Sequence, residues 1–244
     1  MLKNFTLFIE KDYNEMSQRA ANIFASAVSK NPSGAYGFAT GSTPIGMYEE
    51  LVKMQNKSFD LTKITAFNLD EYYPINQHDP QSYFFFMKKY LFDPVGLPIS
   101  STNIPSGAAN DPVAECVNYD KKIEAAGGLC MQILGIGANG HIGFNEPASE
   151  LFASTHCVPL SESTITANAR NFASQEDVPR SAITMGMHSI MMAKQILLLA
   201  SGDGKAEIMK KAIYGPITTE VPASLLQLHH NVTVVTDAAA GKLL

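Results

Sequence analysis

The sequence predicts an α/β fold, a single domain with a largely parallel central sheet and helices on both faces. Two observations lead to this prediction. Short β-rich apolar runs alternate with longer stretches whose apolar residues recur at helical spacing. The 244 residues show no internal repeat or linker, and 45% of them are hydrophobic, which suits one buried core. We therefore treat residues 1–244 as one domain.

Five runs are predicted to be strands of the sheet. They span 36–39, 64–69, 131–136, 196–200 and 232–235. Two helical stripes lie between them, formed by Ile45, Tyr48, Leu51 and Val52 and by Tyr83, Phe86, Met87 and Tyr90. The alternation makes the predicted arrangement Rossmann-like. Residues 147–179 depart from it, because they are rich in Ser, Thr and Asn with weak periodicity, and we predict a lid-like segment there.

Charge and composition exclude several classes of function. The net charge is −5 and no run of Lys or Arg occurs, so no nucleic-acid-binding surface is predicted. The apolar runs are too short for a signal peptide or a membrane span, and we expect a cytoplasmic protein. Cys116, Cys130 and Cys157 are expected to be reduced thiols. Because the histidines show no paired spacing, no structural metal is predicted.

Three polar segments follow predicted strands: 40–44, 70–72 and 135–147. In an open parallel sheet, ligands bind outside the carboxyl ends of the strands. Since all three segments would lie at that edge, the sequence predicts a ligand site there.

The segment 40–44 has the composition of a phosphate-binding turn. Gly41, Ser42 and Thr43 precede Pro44, which fits the first turn of a helix. Free backbone N–H groups, the helix dipole and two hydroxyls would hold a phosphate, although an ordinary capped helix start explains the same residues. Lys205, in the first turn of a later predicted helix, is a second candidate for anion binding. The alternative interpretation is that Lys205 is a solvated surface residue.

The candidate groups for proton transfer are Asp70, His141 and Glu146. Asp70 follows a buried strand, and a partly desolvated carboxylate there suits a general base; an Asx turn or helix cap is the alternative. Glu146 lies five residues after His141, in a loop that Gly140 and Gly143 allow to fold back, so it can orient the imidazole. An isolated pair of this kind is more often structural, but the glycines and the preceding strand favour the functional interpretation.

The same loop contains a Gly-x-Gly-x-x-Gly sequence at 135–140. In a dinucleotide fingerprint these glycines open a helix, and an acidic residue ends the next strand about 20 residues later. Here they run into Pro147 without a helical period, and Glu162 lies in a Ser/Thr-rich stretch. No NAD binding is predicted.

Together these segments resemble the glucosamine-6-phosphate deaminase family over nearly the full chain. The resemblance rests on 40–44, 69–72, 140–147, 168–170 and 226–229, of which the Gly-His-Ile-x-Phe-Asn-Glu-Pro block is the most diagnostic. It implies that glucosamine 6-phosphate and water are converted to fructose 6-phosphate and ammonia. It also implies that neither an organic cofactor nor a metal is needed.

The resemblance also implies residue roles. The 6-phosphate would be held by Gly41, Ser42, Thr43, Arg170 and Lys205. His141 would open the sugar ring, oriented by Glu146 and Asn139. Asp70 would take the proton from C2 and return it at C1.

Two departures from the family pattern lead to hypotheses. Asn139 stands where the family often has aspartate, so Glu146 alone would supply the carboxylate beside His141. By gap-free counting from Glu146, His156 and Val158 occupy positions that are basic in allosteric hexameric relatives, which bind N-acetylglucosamine 6-phosphate there. We therefore expect hyperbolic kinetics and a monomer or small homo-oligomer.

Two other functions stay open at this point. A 6-phosphogluconolactonase-like hydrolase shares the scaffold and a related Gly-His motif, but 70–72 and 145–147 favour the deaminase. A sugar-phosphate sensor domain would bind without turnover. The sequence contains no helix-turn-helix or basic segment through which such a sensor would act on DNA.

Overall fold

A computed structural model describes residues 5–57, 59–169, 172 and 174–244, without the side chains of residues 163, 167 and 168. The described strands are β1 (Phe5–Glu10), β2 (Ala35–Phe38), β3 (Thr65–Asn68), β4 (Asp70–Tyr73), β5 (Thr102–Asn103), β6 (Met131–Leu134), β7 (His156–Pro159), β8 (Ser181–Thr184), β9 (Ile196–Ala200) and β10 (Val232–Asp237). The described α-helices are α1 (Tyr13–Lys30), α2 (Ile45–Met54), α3 (Tyr83–Met87), α4 (Asp93–Val95), α5 (Pro112–Ala125), α6 (Glu162–Asn168), α7 (Met187–Met191), α8 (Ala206–Tyr214) and α9 (Ala238–Gly241).

Seven strands form the central sheet in the order β1-β10-β9-β6-β2-β3-β5, and every pairing in it is parallel. The predicted α/β fold with a parallel sheet is therefore confirmed. Strands β2, β6 and β9 are buried along their whole length, as expected for central strands covered on both faces. This burial explains why their sequences are continuous apolar runs rather than alternating ones.

The direction of strand addition reverses between β2 and β6, which are neighbours in the sheet. The chain adds β3 and β5 on one side of this pair and β9 and β10 on the other. Such a reversal opens a crevice at the carboxyl ends of the two strands. The segments 40–44 and 135–147 leave the sheet on either side of this crevice.

A second sheet, antiparallel and ordered β4-β8-β7, was not predicted. Asp70 is the first residue of β4 rather than part of a loop, so the predicted strand 64–69 is followed at once by another strand. The residues of the segment 147–179 include β7 and α6, and are therefore more regular than their weak periodicity indicated. Its lid-like behaviour stays a prediction.

The antiparallel sheet has its own buried cluster, separate from the main core. Its members are Tyr72, Ile75, Phe144, Leu160, Ile165, Val178 and Ala182. Because Phe144 belongs to the loop after β6 and Ile165 belongs to α6, this cluster packs the 147–179 segment against the predicted site. The aromatic rings of Tyr83 and Phe144 stack within it, with centroids 6.2 Å apart.

Candidate active site

The predicted site residues come from four consecutive strands of the central sheet, β9, β6, β2 and β3. Lys205 follows β9, the His141 loop follows β6, residues 40–44 follow β2, and Asp70 follows β3. The parallel direction of all four strands brings these segments to one edge. Arg170 lies outside the described residues.

Asp70 is a buried carboxylate at this edge, with 6% of its surface exposed. Burial raises its pKa to about 8, and the nearby carboxylate of Glu71 adds to the shift. Main-chain pairing with Thr184 of β8 fixes its position. A carboxyl group in this environment holds a proton near neutral pH and releases it when a cation approaches.

Glu71, the neighbour of Asp70, has a structural role. Its carboxylate accepts hydrogen bonds from the backbone N–H groups of Tyr72 at 2.9 Å, Tyr83 at 2.8 Å and Phe84 at 2.9 Å. Two of these donors belong to the first turn of α3, so Glu71 satisfies N–H groups that have no partner within the helix. Burial raises the pKa of Glu71, and the three N–H donors offset part of that shift.

The loop after β6 folds back on itself to place the His141 ring. The backbone N–H of Gly137 donates to the carbonyl of His141 at 2.9 Å, and that of Gly140 donates to the carbonyl of Gly137 at 3.0 Å. Gly140 has a φ of 93° and Gly143 a φ of 60°, which favour glycine. The imidazole lies against Gly137, where a Cβ atom would be 2.3 Å from the ring.

Glu146 lies beside the imidazole, with its Oε2 atom 3.3 Å from His141 Nδ1. This is a close contact rather than a well-aligned hydrogen bond. Burial raises the pKa of Glu146, but His141, Thr164 and Asn139 together outweigh burial and lower it to about 2. Glu146 is therefore ionised across the physiological range and can hold the imidazole in one orientation.

Asn139 contacts the carboxylate and not the ring. Its Nδ2 donates to Glu146 Oε2 at 2.5 Å, and its Oδ1 accepts the backbone N–H of His141 at 3.2 Å. An aspartate at this position would have no N–H to donate and would place a second negative charge against Glu146. The structure thus places Asn139 as a partner of Glu146, whereas the resemblance implied a partner of the imidazole.

The phosphate candidates Gly41, Ser42 and Thr43 form an open turn before α2. In the described part of the chain, no other residue accepts a hydrogen bond from their backbone N–H groups. Tyr13 braces the turn, because its hydroxyl donates to the carbonyls of Ser42 and Thr43, both at 3.1 Å, and accepts from Gly46 N–H at 2.8 Å. The turn can therefore direct its N–H groups at an anion.

Lys205 reaches toward the His141 loop. It ends the 3-10 segment Asp203–Lys205 just before α8, and its Nζ donates to the carbonyl of Ile136 at 2.6 Å. The side chain is partly buried, unlike the solvated lysine of the alternative interpretation. The charge of Lys205 therefore lies at the carboxyl end of β6, on the same edge of the sheet as the open turn.

Several contacts of the site were not predicted. Thr164 and Ser161 donate to Glu146 Oε1, the latter at 3.4 Å. Asn145 donates from Nδ2 to the carbonyls of Ile142 and Met185, both at 2.9 Å, and so connects the loop to the residue that follows β8. A run rich in Ser and Thr gives no sign of which hydroxyl faces a distant carboxylate. Ser161 before the run indicates only a helix start and gives no partner for Glu146.

Comparison with known proteins identifies the class to which this fold and site belong. The chain belongs to the family of glucosamine-6-phosphate isomerases/6-phosphogluconolactonase, whose model matches residues 10–235. Among solved structures, a 6-phosphogluconolactonase from Leishmania guyanensis has a TM-score of 0.76 at 21% identity and covers 97% of each chain, which shows a shared fold.

Relatives with higher sequence identity are described specifically as glucosamine-6-phosphate deaminases. A glucosamine-6-phosphate deaminase from Clostridioides difficile is 51% identical, covering 96% of this chain and 94% of that protein. A glucosamine-6-phosphate deaminase from Halothermothrix orenii is 50% identical, covering 98% of this chain and 99% of that protein. The solved structure of a monomeric glucosamine-6-phosphate deaminase has a TM-score of 0.94 at 42% identity, covering 99% of this chain and 100% of that one.

The described residues contain neither a candidate membrane-spanning helix nor a cluster of metal ligands. No helix among them is long and apolar enough to cross a membrane. No group of three or more His, Cys, Asp or Glu side chains in the described ranges is placed to hold a metal ion. Cys116, Cys130 and Cys157 are free thiols, as predicted.

Proposed function

We propose that this chain is a glucosamine-6-phosphate deaminase that converts glucosamine 6-phosphate and water to fructose 6-phosphate and ammonia. The observation that carries the proposal is the His141–Glu146 contact at the same sheet edge as the buried Asp70. The relatives described as deaminases support it. A cytoplasmic location belongs to the proposal on sequence grounds alone.

The 6-phosphate would bind in the turn formed by Gly41, Ser42 and Thr43. The turn offers N–H groups that have no acceptor among the described residues, at the start of α2, where the helix dipole favours an anion. Lys205 would add a point charge, and Arg170 would add a bidentate contact, as the family resemblance implies. Binding at one end of the sugar leaves its C1–C2 end to the proton-transfer groups.

His141 would open the ring by moving a proton between the anomeric hydroxyl and the ring oxygen. A neutral imidazole can accept and donate a proton near neutral pH. The ionised Glu146 beside Nδ1 favours a proton on that nitrogen, which leaves Nε2 as the acceptor. Asn139 would serve by keeping Glu146 ionised and in place.

Asp70 would then carry the proton from C2 to C1. The raised pKa means that the free enzyme holds a proton on Asp70 at neutral pH, so it has to ionise before it can act as a base. The ammonium group on C2 of the substrate would favour that ionisation, because an opposite charge nearby lowers the pKa of a carboxyl. The deaminase substrate thus supplies the charge that activates its own base.

A coupled assay tests the proposal. We expect ammonium release from glucosamine 6-phosphate and only background hydrolysis of 6-phosphogluconolactone. Asp70→Asn is expected to lower kcat by roughly 10²–10⁴, the usual scale for a general base. Lactone hydrolysis without ammonium would favour the hydrolase instead, and tight binding without turnover would favour a sensor domain.

We further propose that the enzyme is a monomer or small homo-oligomer without allosteric activation. The similarity to a monomeric deaminase supports this. His156 also supports it, because burial lowers its pKa and leaves it neutral, and Val158 carries no charge. Rates should follow a hyperbolic curve, and a sigmoidal curve that N-acetylglucosamine 6-phosphate straightens would contradict the proposal.

A further inference from the structure

We propose that Thr164 of α6 is a positioning residue, which orients the Glu146 carboxylate toward His141 and so makes the ring-opening step depend on the 147–179 segment. The inference rests on the proposed function for the reaction that it affects. Its physical part, the orientation of one carboxylate by one hydroxyl, can be measured without turnover.

The two oxygens of Glu146 are held from two different parts of the fold. Oε2 accepts from Asn139 of the same loop at 2.5 Å, and it is also the atom 3.3 Å from His141 Nδ1. Oε1 accepts a short hydrogen bond from the hydroxyl of Thr164 and a longer one, at 3.4 Å, from the hydroxyl of Ser161. A single donor would leave the carboxylate free to rotate about its terminal bond, whereas two donors on opposite oxygens fix its plane.

The Thr164 hydroxyl is itself directed at Glu146. Thr164 is 6% exposed, so few water molecules compete for its proton. Ser161, the N-cap of α6, donates from Oγ to Thr164 Oγ1 at 3.0 Å and accepts the backbone N–H of Thr164 at 3.2 Å. Ser161 lies on the acceptor side of the Thr164 oxygen and is 3.4 Å from Glu146 Oε1, so the shorter hydrogen bond to the carboxylate comes from the Thr164 proton. Such chains of hydrogen bonds strengthen one another.

The charges around Glu146 agree with this role. Among the described residues, His141 is the titratable group whose charge acts on Glu146, and the other stabilising groups are neutral donors. The low pKa of Glu146 therefore depends in part on Thr164, which belongs to α6 and not to the loop. A displaced α6, with its N-cap Ser161, would remove both donors to Oε1 and leave the Asn139 donor on Oε2, so the imidazole would lose a fixed partner.

The test compares three single variants. Thr164→Val keeps the shape of the side chain and removes its hydroxyl, and we expect kcat to fall about tenfold with KM within about twofold. Thr164→Ser retains the donor and should restore most of the rate. Thr166→Val is the matched control, because Thr166 lies exposed on the same helix and its hydroxyl accepts from Gln175 at 3.4 Å. Its kcat should be unchanged.

A double-mutant cycle separates positioning from a general loss of structure. If Thr164 acts through Glu146, then Thr164→Val should not lower kcat any further in a Glu146→Gln background. If Thr164→Val lowers kcat by the same factor in the wild-type and Glu146→Gln backgrounds, the proposal is overturned. It is also overturned if Thr164→Val and Thr166→Val lower kcat equally.

Carboxyl ¹³C NMR of Glu146 provides the readout that does not depend on the reaction. In Thr164→Val the titration midpoint of Glu146 should rise by about one pH unit, because a donor to the ionised form is lost. It should not move in Thr166→Val. An unmoved midpoint in Thr164→Val would refute the positioning role, whereas an inactive wild-type protein with the expected midpoints would refute only the proposed function.

Discussion

Asp70→Asn should remove a pH-dependent cost of folding while it removes activity. The pKa of this carboxyl is 3.8 in its ordinary state, and burial, with the Glu71 charge, raises it to about 8 in the folded chain. The folded state therefore binds the proton more tightly than the unfolded chain does. The stability that this proton contributes is complete below the ordinary pKa and is lost as the pH rises through the folded pKa.

The magnitude follows from the difference between the two pKa values. Each pKa unit corresponds to about 1.4 kcal/mol, so ionisation costs about 4 kcal/mol by pH 7 and about 6 kcal/mol above pH 8, as an upper limit. Asparagine has nearly the same shape and cannot ionise. The buried amide has its own desolvation cost of about 1–3 kcal/mol, but that cost does not change with pH.

Urea unfolding followed by circular dichroism measures this effect. The free energy of unfolding of Asp70→Asn, minus that of the wild type, should increase by roughly 4 kcal/mol between about pH 5 and about pH 9. Glu124→Gln, which removes an exposed carboxylate on α5, is the control and should show a difference that stays nearly constant. If the Asp70→Asn difference is also constant with pH, then Asp70 is not desolvated and our account of its pKa is wrong.

Four further substitutions test the site. Glu146→Gln should lower kcat by roughly 10², much more than Asn139→Ala, because Asn139 bonds to that carboxylate and to the backbone of the loop rather than to the imidazole. Equal small effects of the two substitutions in steady-state assays would contradict this. Lys205→Ala should raise KM with a smaller change in kcat, because its point charge would bind phosphate. Gly137→Ala should lower kcat at least about tenfold while circular dichroism stays unchanged, because a Cβ 2.3 Å from the His141 ring forces the ring to move.

Matched controls exist for two of these substitutions. Gly135→Ala lies in the same loop, and a Cβ there meets no atom of the described residues within 4 Å, so its rate should stay near that of the wild type. Lys210→Ala removes an exposed lysine from α8 and should leave KM unchanged. A rate for Gly137→Ala equal to that for Gly135→Ala would refute the steric argument, and equal KM values for both lysine variants would refute phosphate binding by Lys205.

Five of the seven strands of the central sheet were predictable because they are mostly buried on both faces, whereas the two outermost strands, β1 and β5, are partly exposed and were missed. Residues 196–200 form one apolar run that matches β9 residue for residue, and connectivity then brings the following loops to one edge. The antiparallel sheet was missed for the opposite reason. The residues of β4 are Asp-Glu-Tyr-Tyr, which show no apolar period, and their partner β8 is distant in sequence. Pairing of this kind is fixed by tertiary structure rather than by local pattern.

The candidate site shows the same limit at the level of single side chains. His141 and Glu146 could be paired from sequence because five residues and two glycines allow the loop to close. The partner of Asn139 could not be predicted, because an amide can hydrogen-bond either to an imidazole or to a carboxylate. The geometry of the folded loop determines which of the two it contacts. Thr164 lies on a separate helix, and no local pattern connects it with Glu146.

Strand β8 has a consequence for the order of chemical events. Thr184 pairs with Asp70 through the main chain, and its hydroxyl accepts the backbone N–H of Phe144 at 3.1 Å, in the loop that carries His141. One residue thus sets the spacing between the two centres of proton transfer. In the proposed reaction a sugar fixed by its phosphate would meet first one centre and then the other without being released, because the frame that joins them is a hydrogen-bonded strand and not a flexible connection.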